Sequence, residues 1–175
     1  MDIIQPVIEV GTLRLRDFTT ADVELVNSAS NDLLIPLTTS VPSTPGEAEA
    51  RDYIARQNSR LPSGVGYSFA IARTCDDLAV GYIGLTYVEH GRASIGYWIG
   101  PDHRGQGYAA LALRALGEWA LTGLSLPRLE LYVEPWNEAS GRTALAAGFE
   151  REGLLRSWQV VGDTRRDMWM YSRVS

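Results

Sequence analysis

The chain has 175 residues, of which 45% are hydrophobic and 21% are charged, and its formal net charge is −5. This length and composition predict one globular domain over residues 1–175 and exclude a disordered chain and a basic nucleic-acid-binding protein. All 16 basic residues are arginines, which excludes a Walker-type phosphate loop, a lysine Schiff base and a lysine general base.

Cysteine and histidine are scarce, because the chain contains only Cys75, His90 and His103. A disulfide framework, a cysteine-rich metal site and a three-histidine metal site are therefore excluded, and we expect no metal. We expect Cys75 to be a small buried residue of a cytoplasmic protein. The N-terminus lacks the pattern of an export signal, and no run of about 18 apolar residues occurs, so we expect no contact with a membrane.

The first part of the chain predicts one strand and two helices. Residues 12–16 alternate between apolar and polar, and Thr19 or Thr20 then caps an amphipathic helix. Residues 31–45 contain three prolines and predict a surface loop that is a candidate lid over a substrate or a plain connector. A second helix runs from Pro45 to about Arg60.

The rest of the chain predicts six further strands and two further helices. Strands at 67–73, 79–88 and 93–99 are separated by short turns, which predicts an antiparallel meander. The remaining elements are a helix at about 108–121, a strand at 128–134, a helix at about 138–147 and a hairpin with strands at 155–161 and 167–173. The predicted fold class is therefore α+β, with seven strands and about four helices.

A glycine-rich loop joins the third strand of the meander to the next helix. Such a connection presents free backbone N–H groups in one direction, and the positive end of the helix dipole adds to them. Glycine at 105 and 107 lets the backbone approach an anion closely, and Arg104 adds a fixed positive charge. The loop therefore predicts a phosphate or pyrophosphate site.

The loop sequence Arg104-Gly105-Gln106-Gly107-Tyr108-Ala109 resembles the Q/R-x-x-G-x-G/A signature of the GNAT acetyltransferases. A second stretch, with Asn137-Glu138-Ala139-Ser140 followed by Ala147-Gly148-Phe149, is similar to the branch that acetylates the N-termini of ribosomal proteins. The order of strands and helices agrees over nearly the whole chain.

This resemblance implies a mixed, mostly antiparallel sheet whose fourth and fifth strands splay apart around acetyl-coenzyme A. It also implies that Trp98 and Ile99 offer backbone groups to the pantetheine arm and that Asn137 and Ser140 face this arm near its sulfur. By the same resemblance, residues Arg104, Gly105, Gln106, Gly107, Tyr108 and Ala109 hold the pyrophosphate, and the C-terminal hairpin is a candidate surface for a homodimer.

A dinucleotide-binding Rossmann fold is the alternative interpretation of the glycine-rich loop. That fold requires the loop to lie within a parallel βαβ unit, with an acidic residue at the end of the second strand. Here the loop follows an antiparallel meander, and Glu130 lies inside its predicted strand. The order of elements therefore disfavours this alternative.

Acetyl transfer to an amine requires a neutral amine, a stabilised oxyanion and a proton for the departing thiolate. We expect a backbone N–H near Ile99 to stabilise the oxyanion and Ser140 to donate the proton. Many relatives have a tyrosine seven residues after the asparagine, where this chain has Ala144. Glu130 is the candidate general base, directly or through water, and Glu89 is a weaker candidate.

The absence of an evident strong base favours a weakly basic acceptor. An α-amine with a pKa of about 8 costs roughly 1 to 1.5 kcal/mol to neutralise at pH 7, whereas a lysine near 10.4 costs roughly 4 to 5 kcal/mol. The sequence thus predicts an N-acetyltransferase that uses acetyl-coenzyme A and a protein N-terminal amine or a small amine. The alternatives are an aminoglycoside or polyamine as acceptor, and a non-catalytic module that binds acyl-coenzyme A.

Overall fold

A computed structural model describes residues 4–175, and one eight-stranded sheet runs through them. The strands are β1 (Ile8–Val10), β2 (Leu13–Arg16), β3 (Gly66–Arg73), β4 (Ala79–Tyr87), β5 (Ala93–Ile99), β6 (Arg128–Val133), β7 (Glu150–Val161) and β8 (Thr164–Val174). The helices are α1 (Val23–Ser30), α2 (Ile35–Thr38), α3 (Glu47–Asn58), α4 (Tyr108–Thr122) and α5 (Glu138–Ala146).

The strand order in the sheet is β1-β2-β3-β4-β5-β6-β8-β7. All neighbouring strands are antiparallel except β5 and β6, which are parallel. The connection between these two strands contains α4, as a parallel crossover requires. The predicted α+β fold class and the predicted antiparallel meander of β3, β4 and β5 are confirmed.

Each face of the sheet is covered by different helices and has its own apolar core. On the α4 face, defined as the face that α4 and α5 cover, Leu113 and Leu116 of α4 pack on Ile83 and Leu129 of the sheet. On the α3 face, defined as the face that α1, α2 and α3 cover, the core includes the side chains Val26, Ile35, Tyr53, Ile54, Ala70 and Trp98. Because side chains alternate along a strand, the central strands β3, β4 and β5 contribute to both cores.

The structure corrects three details of the sequence analysis. Residues 4–175 form eight strands instead of seven, because the three residues of β1 pair with β2 across a turn at Gly11. The same residues form five α-helices instead of four, because the predicted loop at 31–45 contains the short helix α2. Cys75 was predicted to be buried, but it is exposed because it lies in the turn between β3 and β4.

Candidate active site

The parallel strands β5 and β6 separate soon after they begin. Only two residue pairs, Ala93 with Leu129 and Ser94 with Glu130, join the two strands. Beyond Ser94, β5 remains paired with β4 on its other side as far as Ile99. The sheet therefore has a V-shaped gap between the C-terminal halves of β5 and β6, as the sequence resemblance implied.

Two peptide groups of β5 face this gap. In an antiparallel pair, residues alternate between those bonded to the partner strand and those facing the other side. The Gly100 N–H donates to the Val80 carbonyl at 2.9 Å, so even-numbered residues of β5 bond to β4. By this alternation, the N–H groups of Tyr97 and Ile99 point into the gap, where β6 has already diverged. Each is available to a separate acceptor atom bound there, because the two groups lie about 6.6 Å apart along the strand.

The same alternation corrects the expectation that Trp98 offers backbone groups to the pantetheine arm. It pairs with Tyr82 of β4 and belongs to the bonded set, so its peptide groups are used within the sheet. Its indole ring is buried on the α3 face and stacks on the Tyr82 ring, with 6.1 Å between the ring centroids. Trp98 therefore packs the sheet and does not offer backbone groups to the gap.

The glycine-rich loop has the open backbone that an anion site needs. Gly105 and Gly107 have φ values of +75° and +77°, and no heavy atom beyond the glycine and its two chain neighbours lies within 4 Å of the position where either would carry a Cβ atom. Within residues 4–175, the N–H groups of residues 105–109 donate no hydrogen bond to another protein atom. These amides, from Gly105 to Ala109, stand at the N-terminus of the 15-residue helix α4.

The side chains of this loop are partly engaged with their surroundings. Arg104 donates from Nη2 to Asp32 Oδ2 at 2.8 Å and from Nε to the Ile99 carbonyl at 3.3 Å. Its side chain remains 49% exposed. The Tyr108 hydroxyl donates to Gln106 Oε1 at 2.9 Å. Arg104 thus keeps its charge beside the loop and also fixes the segment that leads into α2.

Ser140 lies at the gap, next to Tyr97 of β5. The Asn137 side chain caps α5, because its Oδ1 accepts from the Ser140 N–H at 3.1 Å. This cap places Ser140 in the first turn of the helix, as predicted. Its hydroxyl oxygen is 2.6 Å from the hydroxyl of Tyr97 on β5. The structure thus brings Asn137, Ser140 and the gap together.

Tyr97 was not identified from the sequence. Burial raises the pKa of Tyr97, and this effect outweighs the hydrogen bond with Ser140 that acts in the opposite direction. Tyr97 therefore stays protonated near neutral pH and can donate to Ser140, which leaves the serine proton free for another acceptor. The alternation of β5 places Tyr97 on the α4 face, but the contact with Ser140 spans 43 residues and depends on the packing of α5.

Glu130 lies outside the site. Its carboxylate accepts from Arg92 Nη1 at 2.8 Å, from Arg128 Nε at 2.7 Å and from the Tyr132 hydroxyl at 2.8 Å. Burial opposes ionisation, but the three hydrogen bonds prevail and lower the pKa of Glu130. A buried carboxylate with three donors is a weak base, so the structure argues against Glu130 as the general base. Glu89, the weaker candidate, lies in a surface turn with 91% of its side chain exposed.

A cavity of about 430 Å³ opens at the gap and extends to the α3 face of the sheet. Its wall includes Tyr97, Asn137 and Ser140, together with Glu134 from the segment after β6. The Glu134 side chain is 11% exposed and lies 3.7 Å from Arg166 Nε. Glu134 is the acidic side chain that the cavity presents in place of Glu130, and the two residues stand at alternate positions, which lie on the same face of a strand.

The arrangement combines the parts that acyl transfer needs. A row of free amides at a helix N-terminus binds a phosphate group, and strand N–H groups in the gap can stabilise a negatively charged oxygen. A serine hydroxyl supported by a tyrosine can supply a proton. Among residues 4–175, no group of three histidine, cysteine, aspartate or glutamate side chains is arranged to hold a metal ion, and no helix is long and apolar enough to cross a membrane.

Comparisons with known proteins point to one family. Residues 12–150 match the model of the acetyltransferase (GNAT) domain. The chain is 35% identical over 127 residues to N-acetyltransferase p20 of Bacillus licheniformis, which covers 71% of each chain. It is 31% identical over 111 residues to the ribosomal-protein-serine acetyltransferase of Escherichia coli, which covers 62% of each chain. The structure is also similar to RimL, a ribosomal L7/L12 α-N-protein acetyltransferase solved with coenzyme A, with a TM-score of 0.82, 22% identity and coverage of 97% of this chain and 98% of RimL.

Proposed function

Because the chain belongs to the GNAT acetyltransferase family, we propose that it transfers an acetyl group from acetyl-coenzyme A directly to a primary amine. The observation that carries this proposal is that three features lie on, opposite or directly after the C-terminal half of β5. These features are the free amides of residues 105–109, the free edge of β5 and the hydroxyl pair of Tyr97 and Ser140. A non-catalytic acyl-coenzyme A-binding module needs the first two features but has no use for the third.

The residues present fit acetyl-coenzyme A. The open space over Gly105 and Gly107 and the unused amides up to Ala109 suit a pyrophosphate, and Arg104 adds charge beside them. The edge of β5 at Ile99 suits the amide groups of a pantetheine arm. When bound, the cofactor supplies an acetyl group activated as a thioester.

The chain's own groups then have separate tasks. The N–H group of Tyr97 stabilises the charge that develops on the acyl oxygen, and the N–H group of Ile99, about 6.6 Å further along the strand, is left for the pantetheine arm. Ser140 donates a proton toward the sulfur, and the Tyr97 hydroxyl, which is 2.6 Å from that of Ser140, is placed to donate to Ser140 in turn. Glu134 holds the amine on the α3 face and accepts its proton, directly or through water. Asn137 is a positioning residue, because its cap fixes the first turn of α5.

The proposed acceptor is an α-amine or another weakly basic amine. The cavity wall contains one carboxylate, that of Glu134, which is enough to hold one ammonium group. A polyamine or an aminoglycoside carries several positive charges and would need several carboxylates. Similarity to the ribosomal-protein-serine acetyltransferase and to RimL supports a protein N-terminus as the acceptor.

The proposal is tested with Ser140→Ala. We expect acetyl-coenzyme A turnover, measured as thiol release with N-terminal peptides, spermidine and an aminoglycoside, to fall about 100-fold for any acceptor that the wild type uses. We expect the dissociation constant for coenzyme A to stay within about threefold, because proton donation contributes little to ground-state binding. The matched control is Ser63→Ala, at an exposed serine outside the cavity.

Two outcomes would contradict the proposal. If coenzyme A binds tightly but no amine in the panel stimulates thiol release, the protein is a binding module. A Ser140→Ala protein with unchanged turnover would remove the proton-donor role.

A further inference from the structure

The cavity wall carries few charges on its acceptor side. Of the residues 4–175 that line the cavity, only Arg60 and Glu134 have ionised side chains. The remaining polar lining consists of uncharged hydroxyl, amide and indole groups, among them those of Thr86, Tyr97, Asn137 and Ser140. The wall therefore matches a ligand with one positive and one negative charge better than a polycation.

Arg60 has hydrogen-bonding capacity that the protein does not use. It follows α3 and donates from Nη2 to the Thr86 hydroxyl at 2.5 Å. Its Nε atom is buried and has no hydrogen-bond partner. Within the described residues 4–175, no carboxylate oxygen lies within 4 Å of its guanidinium nitrogens. Buried polar atoms are almost always paired, so an arginine that lines a cavity with an unpartnered Nε and no carboxylate partner marks a place for an anion.

The sheet register gives the separation between Arg60 and the reacting centre. Thr86, the partner of Arg60, lies directly opposite Ser94 on the neighbouring strand. Tyr97, which contacts Ser140, is three residues further along β5. At about 3.3 Å per residue, this is a distance of roughly 10 Å along the strand. An extended peptide covers this distance in two or three residues.

We infer that the acceptor amine carries an anionic group, a carboxylate or a phosphate, two or three residues away and that Arg60 binds this anion. The inference rests on the proposed function and defines the class of its acceptor. Glu134 holds the ammonium group at one end of the cavity, and Arg60 holds the anion at the other. Guanidinium groups bind both anions through paired hydrogen bonds, so the geometry of Arg60 suits either one.

The test uses three tetrapeptide amides that differ only at the third position, two residues from the α-amine. They contain aspartate, phosphoserine or asparagine there and alanine at the other positions, and the asparagine peptide is the neutral control. We expect the wild-type kcat/KM to be about 10- to 100-fold higher for an anionic peptide than for the neutral one. The aspartate and phosphoserine peptides together distinguish the two sources of the anion.

Arg60→Gln, which keeps a donor near Thr86 but removes the charge, should reduce this ratio to within about threefold of one. The matched control is Arg51→Gln, because Arg51 lies on the exposed side of α3 in an ion pair with Glu47. This control should retain the wild-type ratio. The same peptides are also titrated into the complex of the protein with coenzyme A, which measures the preference without turnover.

The outcomes separate this inference from the proposed function. Acetylation of all three peptides at equal rates, or a preference that persists in Arg60→Gln, would overturn the inference and leave the proposed function standing. A binding preference for the anionic peptides that Arg60→Gln removes, without turnover of any peptide, would support anion recognition and contradict acetyl transfer. Equal binding of all three peptides without turnover would overturn both.

Discussion

At the scale of single residues, the structure separates the carboxylate that stabilises the fold from the one that faces the cavity. Glu130 and Glu134 lie on the same face of one strand segment, and the sequence pattern cannot distinguish them. Arg128 is two residues from Glu130 on that face, so their ion pair was open to prediction. Arg92 reaches Glu130 only because β5 and β6 pair in parallel, which no local pattern encodes.

Replacement of Glu130 by glutamine should therefore destabilise the protein without removing a reacting group. Glu130 is 1% exposed and neutralises two arginines, so we expect Glu130→Gln to lower the free energy of unfolding by about 2 kcal/mol. Urea denaturation at pH 7 measures this loss. The matched control, Glu152→Gln, removes a carboxylate that is 42% exposed and should cost less than about 1 kcal/mol.

The pH dependence of this stabilisation has a defined sign. Hydrogen bonds from Arg128 and Ser172 lower the pKa of Glu152 from 4.5 to about 2, and the pKa of Glu130 is also lowered. Groups with a lowered pKa stabilise the fold above their unfolded pKa, and this contribution is lost as the pH falls through the folded value. The stability difference between wild type and either variant should therefore shrink below pH 4.5. A difference that grows in acid, or a Glu130→Gln protein that is fully stable but inactive, would contradict this role.

At the scale of elements, the loop before α4 is the part of the site that the sequence predicts best. Glycines at fixed spacing, a preceding strand and a following helix are local features. The structure shows them in the predicted order, with both glycines between the end of β5 and the first turn of α4. The cap of α5 by Asn137 was predictable for the same reason. Tyr97 and Arg60 were not predictable as site residues, because their positions depend on where β5 leaves β6 and on how α3 meets β4.

Replacement of Gly107 by alanine tests whether the loop backbone binds coenzyme A directly. Alanine at this position meets no atom, so its cost comes from the positive φ value and should be about 1 to 2 kcal/mol of stability. Gly11, at φ +55° in the turn between β1 and β2, also has open space and should lose a similar amount on Gly11→Ala. Only Gly107→Ala should weaken coenzyme A binding, by roughly tenfold, because its methyl group changes the amide surface that the anion meets. Calorimetric titration and urea denaturation measure the two effects, and equal affinities for both variants would exclude a direct role for the loop backbone.

At the scale of the whole molecule, the splayed sheet separates the proposed pyrophosphate site from the proposed acceptor pocket. The proposed pyrophosphate site lies at the N-terminus of α4, whereas Arg60 and Glu134 line the part of the cavity toward the α3 face. The gap between β5 and β6 joins the two sides. The connection between sheet order and function could be expected from the family resemblance but not from the periodicity of single segments.

The edge strand β7 bears on the proposed homodimer. Leu154, Trp158 and Val160 on this strand are 40%, 50% and 53% exposed. Exposed apolar side chains on an edge strand are suited to pairing with a second copy. Light scattering should therefore give twice the 19.2 kDa mass of the chain, and Trp158→Glu should halve this value. The control Leu145→Glu, on α5, should leave the mass unchanged, and a monomeric wild type would contradict the dimer.

The free amides before α4 are tested most directly by the NMR resonances of backbone N–H groups during titration with coenzyme A. We predict saturable shifts at residues 105–109 together with Tyr97 and Ile99, and slower hydrogen exchange at the same amides. Pantetheine, which lacks the pyrophosphate, should shift Tyr97 and Ile99 but leave residues 105–109 unchanged. Coenzyme A that binds without perturbing residues 105–109, or that fails to bind at millimolar concentration, would contradict the assignment of this loop as the pyrophosphate site.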